Sequence, residues 1–323
     1  MNKIALVTFF VFFAMIICTS CDNEEPKEEE FFSGIEEISF ENFPKTDGST
    51  STRALRQMIG CKLLGVRYEW VQNVVSEWYL RANEEDIPEQ YADLLDENIW
   101  TTSQTNGAFM NLINKEADII LTHRTISPDE KAYAETKGVT LIETSIALDA
   151  FVFVVHKNNP VKSLTVNQIQ KIYTGEITNW AEVGGNNAAM KAFTRPRNSG
   201  SEEVFREVVM AGLEPADLPE REIGGMAGVF IEINENENSI CYTFNNYKEV
   251  IVRAPNNEIP TIAINGISPN ESTVKNRTFP FISEVYVAIR SDLNHNSMAY
   301  KLYEWLQTDD VKSTIIECGF IPR

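Results

Sequence analysis

The chain has 323 residues, 43% of them hydrophobic and 23% charged, with a formal net charge of −19. Those proportions belong to a globular protein long enough for two ordinary domains, and they exclude a chain disordered throughout. No Lys/Arg-rich run is present, which excludes nucleic acid as a partner. The acidity also disfavours long-range attraction of a small anion, so an anion site must work through short, dense hydrogen bonds.

The chain opens with Lys3 and an apolar run from Ile4 to Ile17, too short for a mature membrane span and typical of a secretion signal. Cys18-Thr19-Ser20-Cys21 follows and resembles a bacterial lipoprotein cleavage site. It places a signal peptide at 1–20 and makes Cys21 the lipidated first residue of the mature chain, with an uncleaved anchor as the alternative. Either arrangement puts the protein outside the cytoplasm, tied to a membrane. Residues 21–36 then form an acidic tether, in which Asp22 to Glu30 has no apolar periodicity and is expected to be disordered. Three further cysteines, Cys61, Cys241 and Cys318, cannot all pair and are expected as buried free thiols. Their spacing against His123, His156 and His295 matches no metal site, and no cofactor is expected.

The folded part begins near Phe43, where Gly48-Ser49-Thr50-Ser51 leads into a helical stripe of Ala54, Leu55, Met58 and Ile59. A second turn, Thr101 to Gly107, precedes the stripe Phe109, Leu112 and Ile113. A turn rich in Gly, Ser and Thr that feeds a helix aims free backbone N–H groups and the positive end of the helix dipole at one point. The plainer reading is helix capping, with Asp47 or Ser49 as the first cap. Ala117 to Thr122 reads as a buried parallel strand, ending in His123-Arg124, with a helix from Asp129. Ligands of open α/β sheets bind beyond the carboxyl ends of strands, which brings Arg124 toward a site.

Asp149 to His156 carries the strongest strand pattern, broken by Asn158-Asn159-Pro160, and Val161 to Tyr173 reads as an amphipathic helix with Gly175 at its end. Ala188 to Phe193 reads as a short strand. After it, Arg195 to Ser201 forms a turn into a helix whose apolar face is Val204, Phe205, Val208 and Val209. Hydroxyls of Ser199 and Ser201, close backbone at Gly200 and the planar fork of Arg195 make this turn an oxyanion cradle. Ser199-x-x-Glu202 is equally a capping box. Strands at Ile240–Phe244, Ile259–Gly266 and Phe281–Ile289 follow, then helices at Met298–Leu306 and from Asp310. Alternating strands and helices predict an α/β fold with mostly parallel sheets. The chain is expected to cross into a second domain at Asp149–His156 and to return at Phe281–Ile289.

These pieces resemble one family from Phe43 to Arg323: the type 2 periplasmic substrate-binding proteins, and among them the PstS-like phosphate-binding proteins of ABC transporters. The most specific part is Gln168 to Trp180, similar to that family's helix-and-turn signature. Arg195 to Ser201 is similar to its Arg-x-x-x-Ser-Gly-Thr turn, with serine for threonine. Gly48 to Ser51 resembles its first phosphate loop and Thr105-Asn106-Gly107 its second. Asn265 to Pro269, Phe279-Pro280 and Gly319 to Pro322 also fit.

The resemblance implies a monomeric α/β binding protein in two lobes, 37–150 plus 281–323 and 151–280, joined by two hinge strands. It implies closure on phosphate or a similar tetrahedral oxyanion, delivery to a membrane permease, and no catalysis. Its candidate ligand residues are Ser49, Thr50, Ser51, Thr105, Asn106, Arg195, Ser199, Gly200, Ser201 and Arg124. Sensing or surface scavenging without a dedicated permease, and phosphate-ester hydrolysis, are the alternatives. One departure stands out. The family often carries an aspartate after the strand that ends at Thr122, accepting the proton of monohydrogen phosphate. Here Thr122-His123-Arg124 holds no carboxylate, leaving Asp47 or Glu202 as substitutes.

Overall fold

A computed structural model describes residues 34–74, 76–217 and 221–323. The apolar leader, Cys21 and the acidic tether as far as residue 33 lie outside the described residues. The strands are β1 (Thr46–Gly48), β2 (Tyr68–Gln72), β3 (Trp78–Ala82), β4 (Ile119–Thr122), β5 (Leu141–Val155), β6 (Ser163–Leu164), β7 (Lys191–Ala192), β8 (Ser239–Phe244), β9 (Ala263–Ile264), β10 (Ile282–Arg290) and β11 (Ile321–Pro322). The α-helices are α1 (Arg53–Leu64), α2 (Ala92–Leu95), α3 (Gln104–Ile113), α4 (Pro128–Thr136), α5 (Val166–Tyr173), α6 (Gly200–Val204), α7 (Gly228–Glu235), α8 (Glu271–Lys275), α9 (Met298–Trp305) and α10 (Lys312–Glu317). Among the described residues no helix is long and apolar enough to cross a membrane.

One sheet in the order β1-β4-β10-β5-β8-β7 carries the fold, with β11 paired to β5. Its spine is β5, fifteen residues long and buried without a break from Ile146 to Val155. The first part of β5 pairs with β10, from Leu141 opposite Arg290 to Ala150 opposite Ile282. Its last five residues pair instead with β8, from Phe151 opposite Phe244 to Val155 opposite Ile240. The strand read from the sequence as Asp149–His156 therefore starts eight residues earlier. Glu143, Thr144 and Ser145 hid that first half, because polar residues there face partly open surface.

The α/β class holds, but the sheet is mixed rather than mostly parallel. β1 runs parallel to β4, and β7 parallel to β8. β4 and β5 share a direction, as a strand-helix-strand unit should, but β10 is inserted antiparallel between them. That insertion comes from the far end of the sequence, where no local pattern announces it.

Other boundaries shift for local reasons. The helix expected from Val161 begins at Val166, because the Thr165 hydroxyl caps the Gln168 N–H and Gln168 returns the bond. The residues before it form β6, which pairs with β9, the two-residue remnant of the Ile259–Gly266 strand. The β2–β3 hairpin is an element the sequence reading lacks, although Tyr68-Glu69-Trp70 alternates as a strand does and Trp78-Tyr79-Leu80 has the aromatic content of one. The core is aromatic around β5 and β8: Phe205 stacks on Tyr242 at 4.5 Å, and Phe153 meets Tyr173, Tyr242 and Phe281 edge-on or tilted. Cys61, Cys241 and Cys318 are buried free thiols as expected, and burial raises all three, Cys61 to about 12.

Candidate functional site

The first turn leaves β1 at Gly48, where backbone must come close: a Cβ there would stand 2.4 Å from the Leu121 carbonyl oxygen. The Ser49 N–H donates to that oxygen at 3.0 Å, and the Thr52 hydroxyl donates to it at 2.7 Å. Thr50–Thr52 then makes a single 3₁₀ turn into α1, with no side-chain cap from Ser49. Asp47 does not cap this turn either. One of its carboxylate oxygens accepts from the Gly48 and Ser103 N–H groups, the other from the Asn111 amide. Asp47 thus clasps the first turn to the second.

The second turn presents the N-terminus of α3. Gln104 sits at φ 62°, left-handed for a residue with a Cβ, and Ser103 supplies no side-chain cap. The first N–H groups of α3 have no acceptor within the helix. The third turn approaches closely, since a Cβ on Gly200 would lie 2.4 Å from the Thr105 hydroxyl. Here Ser199 does cap, accepting from the Glu202 N–H at 3.3 Å. The reciprocal half of a capping box is missing, because the Glu202 carboxylate turns away. It accepts from the Arg195 N–H at 3.2 Å, from the Tyr242 hydroxyl and from Arg206 Nε at 2.7 Å.

The three turns line one cavity of about 270 Å³. Ser49, Thr50, Ser51, Thr105, Arg195, Ser199, Gly200 and Ser201 all belong to its wall. Arg195 is 8% exposed, and its Nε and Nη1 have no hydrogen-bond partner; the buried Ser201 hydroxyl has none either. Burial lowers the Arg195 guanidinium from its usual range, and the neighbouring Tyr242, Tyr247 and Glu202 oppose that. A buried cation with unspent donors strongly favours an anion beside it.

Asn106 and Arg124, expected at the site, stand outside it. Arg124 forks onto the Glu130 carboxylate at 2.7 and 2.8 Å, with the two side chains 3% and 1% exposed, and Asn106 donates to the same carboxylate at 2.9 Å. Glu130 also closes the Ser127 capping box of α4. The carboxylate at a helix start thus claims both residues, and neither lines the cavity. The substitute acceptors Asp47 and Glu202 do not line the cavity, being engaged as just described.

Sequence reading missed the far wall: Glu77 from β2–β3, Gln104, Gly224 to Ala227, Phe244 and Tyr247. The Tyr247 hydroxyl donates to Glu77, and burial, then that bond, raises its pKa. Also missed was His123, whose Nδ1 lies 2.7 Å from Ser51 Oγ across 72 residues of sequence. His123 Nε2 lies 3.4 Å from Asp149 Oδ2, a contact not aligned as a hydrogen bond. Burial raises the Asp149 carboxyl, while His123 and the Asn246 and Ala150 N–H groups hold it down. Among the described residues no cluster of His, Cys, Asp and Glu is fit to hold a metal ion.

Known proteins share this architecture. The chain is similar to phosphate-binding protein PstS of Bacillus subtilis, 23% identical over 195 residues, a match spanning 60% of this chain and 61% of that protein's length. It is similar to phosphate-binding protein PstS of Staphylococcus haemolyticus, 25% identical over 65% of this chain and 67% of the other. Among solved structures, an ABC-type phosphate transport receptor from Vibrio cholerae matches at TM-score 0.59 and 21% identity, covering 87% of this chain and all of that one, a likeness of fold. Residues 69–310, from β2 through α9, match the PBP superfamily domain, so the chain belongs to the PBP superfamily.

Proposed function

We infer that this protein binds phosphate, or a similar tetrahedral oxyanion, for ABC-type uptake. The single observation behind the reading is Arg195: a buried guanidinium with two unpartnered N–H groups, in a cavity shared by the amino ends of α3 and α6 and the turn before α1. The phosphate-binding names of the relatives support the same ligand class. In this reading 37–150 plus 281–323 and 151–280 are two lobes, β5 and β10 are the strands between them, and closure of the lobes shuts the anion away from water. The protein acts as a monomeric, non-catalytic receptor that passes its ligand to a membrane permease.

Calorimetric titration of dialysed protein with inorganic phosphate tests this. The expected result is equimolar, saturable binding with a dissociation constant of roughly micromolar or tighter, about −8 kcal/mol or more favourable. A flat titration would end the reading.

The Cys18-Thr19-Ser20-Cys21 segment adds a lipid anchor at Cys21 and an extracytoplasmic location. Cells expressing the Cys21→Ser variant are expected to release the protein from the membrane fraction and to lose incorporation of labelled fatty acid. Unchanged labelling would remove the anchor.

A further inference from the structure

We propose that Ser51 is the residue through which the site selects a protonated tetrahedral oxyanion over a fully deprotonated one, held in that role by the buried pair His123 and Asp149. The proposal rests on the phosphate reading above and deepens it. The cavity wall is rich in donors: the Arg195 fork, the Ser201 hydroxyl and helix-terminal N–H groups. Donors suit sulfate and monohydrogen phosphate equally, because both are tetrahedra of oxygen acceptors. Only an acceptor inside the cavity distinguishes them, by taking the proton that phosphate carries and sulfate lacks at neutral pH.

A serine hydroxyl has one proton and two lone pairs, so its direction depends on its neighbours. The His123 ring, 0% exposed in its side chain, stacks on Phe244 at 4.0 Å and is closed off by Phe320 at 5.4 Å. Its Nε2 faces the Asp149 carboxylate at 3.4 Å, which already accepts the Ala150 and Asn246 N–H groups. Although the contact is not aligned as a hydrogen bond, a carboxylate oxygen this close repels a lone pair and attracts an N–H, so in the neutral ring Nε2 carries the proton and Nδ1 is bare. Nδ1, 2.7 Å from Ser51 Oγ, is then an acceptor and takes the Ser51 proton.

The adjoining hydroxyls agree with that direction. Thr52 spends its proton on the Leu121 carbonyl, so the Ser49 proton is the one shared between Thr52 Oγ1 and Ser51 Oγ, both at 3.0 Å, and Ser49 donates toward Ser51 rather than accepting from it. One lone pair of Ser51 then remains for a ligand. Ser51 becomes an uncharged acceptor, which accepts a P–OH group without repelling the rest of the anion. Glu77 is the rival acceptor on this wall, but one of its carboxylate oxygens accepts from Tyr247 and the other from the Asn73 amide at 3.2 Å.

The test is paired calorimetry of the full chain with inorganic phosphate and with sulfate. Wild type is expected to prefer phosphate by about a hundredfold or more, and Ser51→Ala to lose about tenfold in phosphate affinity with sulfate unchanged. His123→Leu frees the Ser51 proton to point into the cavity, so sulfate binding is expected to rise about tenfold and the preference to shrink. A merely structural role for His123 would weaken both anions alike. Should that variant fail to fold, nitrogen NMR of the wild-type histidines reads the tautomer directly, and His123 Nδ1 is expected to be the unprotonated nitrogen. A proton on Nδ1 overturns the proposal. So does loss of the preference in Glu77→Gln with its retention in Ser51→Ala. Phosphate binding without preference over sulfate defeats this inference alone, whereas no phosphate binding defeats the underlying reading as well.

Discussion

Arg195→Met is expected to abolish tight phosphate binding without weakening the fold. The loss should be about 3 kcal/mol or more, roughly a hundredfold or greater, the scale of hydrogen bonds to charged groups. The fold is spared because the backbone at this position is held separately: the Arg195 N–H bonds to Glu202 and to the Tyr242 hydroxyl, and Tyr242 donates to the same Glu202 carboxylate. The side chain leaves Nε and Nη1 unpaired, and a buried unpaired cation costs stability rather than adding to it. Urea denaturation of the phosphate-free variant should therefore give a midpoint at or above wild type. Arg195→Lys should recover only part of the affinity, since an ammonium lacks the planar fork. If Arg195→Met binds phosphate as wild type does, the cavity is not the anion site.

Glu130→Ala is expected to be the most damaging of the single changes to stability, at about 3–5 kcal/mol, because it strands the buried Arg124 charge. It also removes the acceptor of the Asn106 amide and the returning half of the α4 capping box. The double variant Arg124→Met with Glu130→Leu should recover most of the loss, since apolar residues of similar size often replace a buried pair at little cost. Its phosphate affinity should stay near that of wild type, because Arg124 lies outside the cavity, its guanidinium 5.0 Å from the Phe109 ring centre. A sharp fall in affinity with stability restored would return Arg124 to the site.

The contrast between Arg195 and Arg124 explains how much of the site was legible. Both arginines follow a strand and precede a helix, and by local pattern both are candidate anion ligands. Their fates are set by the nearest carboxylate. Glu130, three residues after Ser127, has its cap position beside Arg124 and takes the guanidinium. Glu202, three residues after Ser199, takes the Arg195 backbone instead and leaves the guanidinium free. The capping-box pattern is the same in both, so nothing short of the packing of Tyr242 and Arg206 around Glu202 separates them.

What the sequence determines by itself is local. Turns made of Gly, Ser and Thr before apolar stripes of helical period become helix starts that present free N–H groups, because those groups follow from helix geometry alone. Likewise a run such as Phe151 to Val155 becomes a buried strand wherever it is placed. Tertiary structure decides what these pieces meet. It slides β10 between β4 and β5, brings the β2–β3 hairpin to the cavity with Glu77, and sets His123 against Ser51. Each of those contacts joins residues far apart in the chain, so its energy depends on the whole sheet closing and leaves no periodic trace in either partner.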